Sequence, residues 1–424
     1  MKSINEKPSL IRMLVYTFVG HFLELYDYTV FVVLLPVISP LFFPTDSLSG
    51  SVNIGMIIFA VSILVSIPGA VFWGMVGDQS GRLVMLRKAI LMMGLPSLLI
   101  ALLPTFQEIG IWAPLVLFLC RMVQTFSASG EMNGGRIFLT EHFGDKHIGK
   151  ITGYFCCLGA LGVLLAMLMG WLITTNVVSW RSAFFLGSCL SIVAIMLRRK
   201  IAESPEFVKL MSSKQANESN KISTFTMLKE NSPQALIIFA ITTILGILSY
   251  MLHGFINPFI ISLGVDKSIA YKMSIVGMIS CGIFAILFGY LMDHFRNERS
   301  VINYNFIGVI LLVPIGFLLI KLSLDQGTNE LIYLAFILFG GLLGMNVSAA
   351  GTINYKLFSP ANRCRGILIC YAVPMAIFGG MTPIVLKTMG EVHFFAPSFT
   401  VAMVALVAYY IYGYNKGYCP TPKV

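Results

Sequence analysis

The chain has 424 residues, 57% of them hydrophobic and only 11% charged, with a formal net charge of +10. Soluble domains carry roughly 25% charged residues, so this composition excludes one and indicates an integral membrane protein. The positive balance does not indicate nucleic acid, because the basic residues are dispersed and form no Arg/Lys stripe with interleaved aromatics.

Apolar runs of about 20 residues, each long enough for a hydrocarbon core of roughly 30 Å, recur along the chain. Strand-like alternation of the barrel type is absent, so the spans are predicted as helices. Breaks at Gly, Pro and charged residues place about twelve of them, at 10–38, 52–77, 84–104, 112–141, 148–173, 180–200, 233–262, 270–292, 300–321, 330–357, 362–389 and 394–415. An even count leaves both termini on one side. That side holds Lys2, Lys7, Arg12, Arg82, Arg87, Lys88, Lys146 and Lys150, then the basic group at 198–229, Arg296, Arg299, Lys356, Arg363, Arg365 and Lys416. The other holds Lys267, Lys272, Lys321, Lys387 and Arg181. By the positive-inside rule both termini are expected in the cytoplasm, in a bacterial inner membrane. The apolar stretch from Leu10 is too long for a cleavable signal, so the first span itself is expected to target the chain.

The longest polar segment, 198–232, divides the chain into an N-terminal six-helix half (1–200), a cytoplasmic loop (201–232) and a C-terminal six-helix half (233–424). A repeat relates the halves: Gly74-x-x-x-Asp78-x-x-Gly81-Arg82 follows span two, and Gly289-x-x-x-Asp293-x-x-Arg296 follows span eight. The expected fold is therefore all-α, with about twelve transmembrane helices in two pseudo-symmetric halves, as in secondary transporters. No Walker loop suggests ATP as the driving force. The eight cysteines lack metal-ligand spacing, and Cys120, Cys156, Cys157, Cys189, Cys281 and Cys370 read as packing residues inside spans. No nucleophile, metal cluster or cofactor loop appears, so neither an enzyme nor a cofactor is expected.

The first span carries Gly20-His21-Phe22-Leu23-Glu24-Leu25-Tyr26-Asp27-Tyr28. An ionisable group at membrane depth costs roughly 2.5 kcal/mol or more, so Glu24 and Asp27 call for partners or a water-filled path. Three residues apart, they share one helix face, Asp27 about 4.5 Å further out at roughly 1.5 Å per residue. In span four, Arg121, Gln124, Ala128, Glu131 and Gly135 fall in one stripe about 80° wide, with Arg136 on its far edge. Arg121 lies near the depth of Asp27 and keeps its charge, which suits it to anchor a substrate carboxylate or to serve as counter-ion to Asp27. A substrate anion that claims Arg121 would free Asp27 to bind a proton, giving a route to coupling. Asp27 and Glu131 are the leading proton sites on this reading; Glu24 is either a third or a structural group. Arg136 is either a second anion contact or a partner for Glu131 or Glu141. In the second half, Tyr250, His253 and Asn257 stand at i, i+3 and i+7 before Pro258, with Asn346, Asn354 and Tyr355 in span ten as further hydrogen-bonding candidates. Asp78 is expected to cap the start of span eleven near Arg363 and Arg365, with Gly74, Gly81 and Arg82 completing a gating motif.

These residues resemble the major facilitator superfamily, and within it the metabolite:proton symporter group of proline/betaine, citrate, shikimate and 2-oxoglutarate carriers. The resemblance covers nearly the whole chain. It rests on Phe22-Leu23-Glu24-x-Tyr26-Asp27, the Gly74 to Arg82 motif, and Arg121-x-x-Gln124-x-Phe126-Ser127-x-x-Gly130-Glu131 with Glu141. Trp180-Arg181-x-x-Phe184-x-x-Gly187, Glu203-Ser204-Pro205-Glu206-Phe207 and Phe378-Gly379-Gly380-x-x-Pro383 complete it. It implies the same gating role for the Gly74 to Arg82 motif and adds Tyr26 as a substrate contact. Leu25, Ser129, Met132 and Arg136 depart from the group's pattern, so the solute is left open: amino acid or betaine, di- or tricarboxylate, or carboxylate siderophore. The group's compatible-solute carriers can have long C-terminal extensions, and a chain stopping at Val424 is expected to lack osmosensing through one. The expected activity is proton-coupled import of a small carboxylate or zwitterionic metabolite by alternating access, the chain acting as a monomer in the lipid bilayer. A proton-antiport exporter and a non-transporting membrane sensor are the alternatives.

Overall fold

A computed structural model describes residues 10–144, 147–212, 223–295 and 298–418. Lys2, Lys7, Lys146, Arg296 and positions 213–222 of the central polar segment lie outside the described residues. The fold is all-α, as expected for a chain whose backbone groups must be satisfied within each segment in lipid. Among the described residues, eleven helical stretches are long and apolar enough to cross a membrane. The chain divides into two compact units, 1–145 with 158–221, and 146–157 with 222–424. The division falls inside the 201–232 segment and, beyond what the sequence suggested, assigns 146–157 to the second unit.

The first unit contains α1 (Leu10–Phe42), α2 (Leu48–Leu64), α3 (Ser66–Gln79), α4 (Arg82–Leu102), α5 (Phe106–Ile109), α6 (Trp112–Ala128) and α7 (Met132–Phe143). It also holds the later turns of α8 (Ile148–Thr174), then α9 (Trp180–Arg198) and α10 (Pro205–Met211). α4 packs against α9 and α6, and α1 against α9, α2 and α7. Leu23, Phe31, Leu34, Ile90, Leu117 and Phe184 form the middle of its core.

The predicted span 112–141 is where the structure departs most from a regular helix. It is divided by a tight turn into α6 of 17 residues and α7 of 12, and it is not among the eleven. The Phe126 carbonyl accepts from Trp73 Nε1 at 3.0 Å and from Ser129 Oγ at 2.7 Å. The amides that follow take i−3 partners instead, Gly130 N–H to Ser127 O at 3.2 Å and Glu131 N–H to Ala128 O at 2.9 Å. Such tightening rotates everything after it relative to a 3.6-residue helix.

The second unit adds α11 (Thr224–Glu230), α12 (Ser232–Tyr250), α13 (Ile256–Ser262), α14 (Lys267–Phe295), α15 (Glu298–Gln326), α16 (Glu330–Leu357), α17 (Arg363–Pro374), α18 (Gly380–Val392) and α19 (Ala396–Asn415). Its densest seam joins α14 to α16, where Gly340, Gly344 and Ser348 recur every four residues. Ser348 Oγ donates to Ala285 O at 2.6 Å, and a Cβ at Gly344 would lie 2.8 Å from Ala285 N. Small residues let helix backbones approach where lipid supplies no hydrophobic drive between helices. Gly344→Ala is therefore expected to destabilise this unit by about 1–3 kcal/mol through overpacking, read as a lower melting temperature in detergent.

The first turn of α8 is capped within the second unit. Asp293 Oδ1 accepts from Gly149 N–H and Oδ2 from Lys150 N–H, both at 2.8 Å. An acid satisfying the exposed amides of a helix N-terminus is favourable both as a hydrogen bond and against the helix dipole. This is the chemistry the sequence suggested for Asp78, found at its repeat counterpart. The cysteines read as packing residues are free thiols, and two of them, Cys156 and Cys281, face each other with Sγ atoms 4.0 Å apart.

Candidate functional site

In the first unit α1, α4 and α6 bring four polar side chains into a closed ring. Arg121 Nη1 donates to Gln124 Oε1 at 2.9 Å, Gln124 Nε2 to Ser97 Oγ at 2.8 Å, and Ser97 Oγ to Asp27 Oδ1 at 2.9 Å. Asp27 Oδ2 closes it, 3.5 Å from Arg121 Nη1. All four residues are at least 96% buried. The Arg121 guanidinium lies over the Phe31 ring at 4.2 Å and near Phe59 at 5.9 Å. Aromatic faces attract a desolvated cation. The Arg121 Nε is buried without a hydrogen-bond partner among the described residues, so the guanidinium retains donor capacity. The depth match of Asp27 with Arg121 is thus present as a contact; Ser97, Phe31 and Phe59 were not picked out from the sequence.

Glu131 is held elsewhere. Arg198 at the end of α9 donates Nη1 to Glu131 Oε2 at 3.0 Å and Nη2 to Glu131 Oε1. The same guanidinium reaches the Leu86 carbonyl at 2.8 Å and the Thr17 carbonyl at 3.1 Å. Gly20 faces this pair: a Cβ there would overlap both Glu131 and Arg198. Arg198 is fully buried as the last residue of α9, within the predicted span 180–200, although the polar segment was drawn from it. The tight turn after Ala128 is the physical reason that Glu131 no longer shares the stripe of Arg121 and Gln124. Arg136 is buried, and its charge acts on His21 and Glu24 of α1. Glu24 itself pairs with His21, Nδ1 to Oε2, at 3.2 Å.

Tyr26 is placed differently from the expected substrate contact. It is 1% exposed and donates its hydroxyl to Ala183 O at 2.8 Å, tying α1 to α9. The reason is its position one residue before Asp27, which turns it about 100° away from the ring.

The Gly74 to Arg82 motif forms a buried network of its own. Arg82 is fully buried and donates to Glu141 through Nε at 3.2 Å and Nη2 at 3.1 Å, and to Asp78 Oδ1 and Gly77 O through Nη1 at 3.3 and 2.6 Å. Ser204 Oγ donates to Glu141, and Glu203 accepts from Leu83 N–H at 3.0 Å. Gly81 has φ 111°, a left-handed conformation that side-chain-bearing residues rarely adopt, with Glu203 packed over it. Gly74 is buried in α3 beside this network.

In the second unit the continuous polar face expected of Tyr250, His253 and Asn257 does not form. A π turn at Met251–Phe255 interrupts the helix between them, with Ile256 N–H bonded to Met251 O. Pro258 lacks the N–H that Gly254 O would accept, and its ring crowds that carbonyl, so the wider turn relieves the conflict. His253 Nδ1 instead engages Ser249 O at 2.6 Å, with Nε2 2.8 Å from Met278 Sδ. The same grammar recurs at Met375–Gly379, where the π turn ends four residues before Pro383. Gly379 lies against the Tyr250 ring, and Gly254 against Pro383, so the two interrupted helices meet at their π turns.

Asn257 is half-buried with its carbonyl oxygen unpartnered among the described residues. Asn346 donates to Asn305 Oδ1 at 3.0 Å across α15 and α16, while its own Oδ1 is unpartnered among the described residues. Asn354 is 2% exposed and has neither amide atom partnered among the described residues.

The Major Facilitator Superfamily model matches residues 17–373 of this chain. A Staphylococcus aureus (strain COL) protein, named for a proposed proline/betaine transport activity, is 27% identical over 391 residues, covering 88% of this chain and 81% of its own length. The inner membrane metabolite transport protein YhjE of Escherichia coli (strain K12) is 26% identical over 388 residues, covering 88% and 86%. The glycine betaine/proline/ectoine/pipecolic acid transporter OusA of Dickeya dadantii (strain 3937) is 24% identical over 413 residues, covering 92% and 79%. Among solved structures, the proton:xylose symporter XylE superposes with a TM-score of 0.75 at 14% identity, covering 96% of this chain and 95% of that one. That likeness shows a common fold.

Proposed function

Since this chain belongs to the Major Facilitator Superfamily and is a multi-pass membrane transporter, we propose that it imports a small carboxylate or zwitterionic metabolite together with protons. The observation that carries this reading is the closed ring of Asp27, Ser97, Gln124 and Arg121. Arg121 is a permanent cation with an anion partner that can be neutralised by a proton. A solute carboxylate that takes Arg121 leaves Asp27 without its counter-charge at membrane depth, which favours protonation of Asp27. Loading of solute and loading of proton are thereby linked. Names of the relatives add proline, betaines and other zwitterions to the candidate solutes, each with a carboxylate for Arg121. Within the second unit, Asn257, Asn346 and Asn354 each keep an unpartnered side-chain amide atom among the described residues. The Asp78–Arg82–Glu141 network is proposed as the gating element. A monomer in the bacterial inner membrane with cytoplasmic termini completes the reading, the termini being supported by the basic-residue bias.

Purified protein in liposomes with an imposed pH gradient tests it. Wild type is expected to accumulate proline or glycine betaine when the lumen is alkaline. Asp27→Asn is expected to retain exchange but lose gradient-driven accumulation. Full accumulation by Asp27→Asn would remove that carboxyl from the coupling route, and expulsion of preloaded solute in exchange for protons would favour an exporter.

A further inference from the structure

We propose that His21 and Glu24 form a second proton-binding site on α1, separate from Asp27. The inference rests on the transport reading for its purpose and on the geometry of the pair for its existence.

The other buried acids of the first unit have a fixed cation. Asp27 has Arg121, Glu131 has Arg198, and Asp78 and Glu141 share Arg82. No arginine or lysine nitrogen among the described residues lies within ion-pair distance of Glu24; its partner is the His21 imidazole, Nδ1 to Oε2, at 3.2 Å. An arginine holds its proton at any physiological pH, whereas an imidazole gives one up near neutrality. Among the described residues of this unit, the pair is therefore the one acid–base contact in which both members can change charge without breaking a bridge to a permanent cation.

Of the two side chains, Glu24 is the more open. The His21 side chain is 3% exposed and the Glu24 side chain 17%. Gly159 of α8 backs the imidazole so closely that a Cβ would stand 2.6 Å from Nε2. The charged groups that bear on the pair are Glu131 and Arg136 from α7, with Arg198 of α9 bound to Glu131 and Asp27 one turn along α1. When the pair holds no extra proton, Glu24 is a carboxylate beside a neutral imidazole and Arg136 supplies the offsetting charge. When one proton enters from water, Glu24 carries an O–H that donates to Nδ1 while the single imidazole proton stands on Nε2, and the pair is neutral. Release to water breaks that O–H bond, so one proton moves per cycle and nothing else is consumed. Neutrality of the loaded form is what membrane depth favours.

The test is independent of solute. Purified full-length protein in liposomes is titrated between about pH 5 and 9, following the protonated-carboxyl stretch by infrared difference spectroscopy in H2O and D2O. Wild type is expected to show a titrating carboxyl band that Glu24→Gln removes and Asp27→Asn leaves in place. His21→Asn is expected to shift the midpoint of that band by about one pH unit or more, because the hydrogen-bond partner is lost. An unchanged spectrum in Glu24→Gln, or an unmoved midpoint in His21→Asn, overturns the proposal. Should Glu24→Gln fail to fold, His21→Asn and His21→Gln decide it by the same midpoint. Absence of proline or betaine uptake would count against the transport reading while leaving this titration interpretable.

Discussion

Arg198→Ala is expected to destabilise the first unit by about 3–5 kcal/mol, the cost of taking one partner from a buried ion pair. The side chain is fully buried and gathers α1, α4, α7 and α9 at one point, through Thr17 O, Leu86 O and both oxygens of Glu131. Truncation strands a carboxylate and two carbonyls at once. Gly20 raises the stakes, because α1 passes so close that no side chain fits between it and the pair. Thermal melts in detergent check this, with the paired replacement Arg198→Met and Glu131→Leu expected to recover most of the loss. A single Arg198→Ala variant that melts like wild type would show that the pair is dispensable and return Glu131 to the list of coupling sites.

The second large effect is on binding. Arg121→Ala is expected to weaken solute binding by about 2–5 kcal/mol, on the order of 30- to 5,000-fold, as when a hydrogen-bonded charge is removed from a buried pair. Arg121→Lys should recover little, because an ammonium lacks the planar fork that reaches Gln124 and Asp27 together and stacks on Phe31. Thermal-shift titration with proline, glycine betaine and di- and tricarboxylates measures it. Adding Asp27→Asn to Arg121→Ala should restore stability, since no unpaired carboxylate is left, while binding stays weak. Recovery of binding in that double variant would mean that Arg121 serves only as a counter-ion.

The membrane spans were legible because composition and length decide them, and the Asp27–Arg121 contact because two ionisable groups at equal depth have few other places to go. Ser97 was not, since one serine in an apolar span carries no signal until the helix beside it is known. Arg198 looked like the start of a polar loop; only its contacts reveal that α9 keeps it buried. Helical periodicity failed in three places, and in each the local chemistry was written in the residues. A tryptophan and a serine claim the Phe126 carbonyl and tighten the chain before Glu131. Glycine four residues before proline, at Gly254 and Pro258 and again at Gly379 and Pro383, marks the two π turns. Reading each proline together with the carbonyl it displaces would have located those turns.

The ring around Arg121 implies a rule for what the protein accepts. Gln124 and Asp27 already engage the guanidinium, so a solute must out-compete them for it, and solutes without an anionic group are poorly equipped to do so. Discrimination then resides in the strength of the ligand the protein makes for itself, as much as in the fit of the solute. Loosening that internal ligand, as Ser97→Ala would, should broaden the range of accepted solutes while sacrificing the rejection of weak ones.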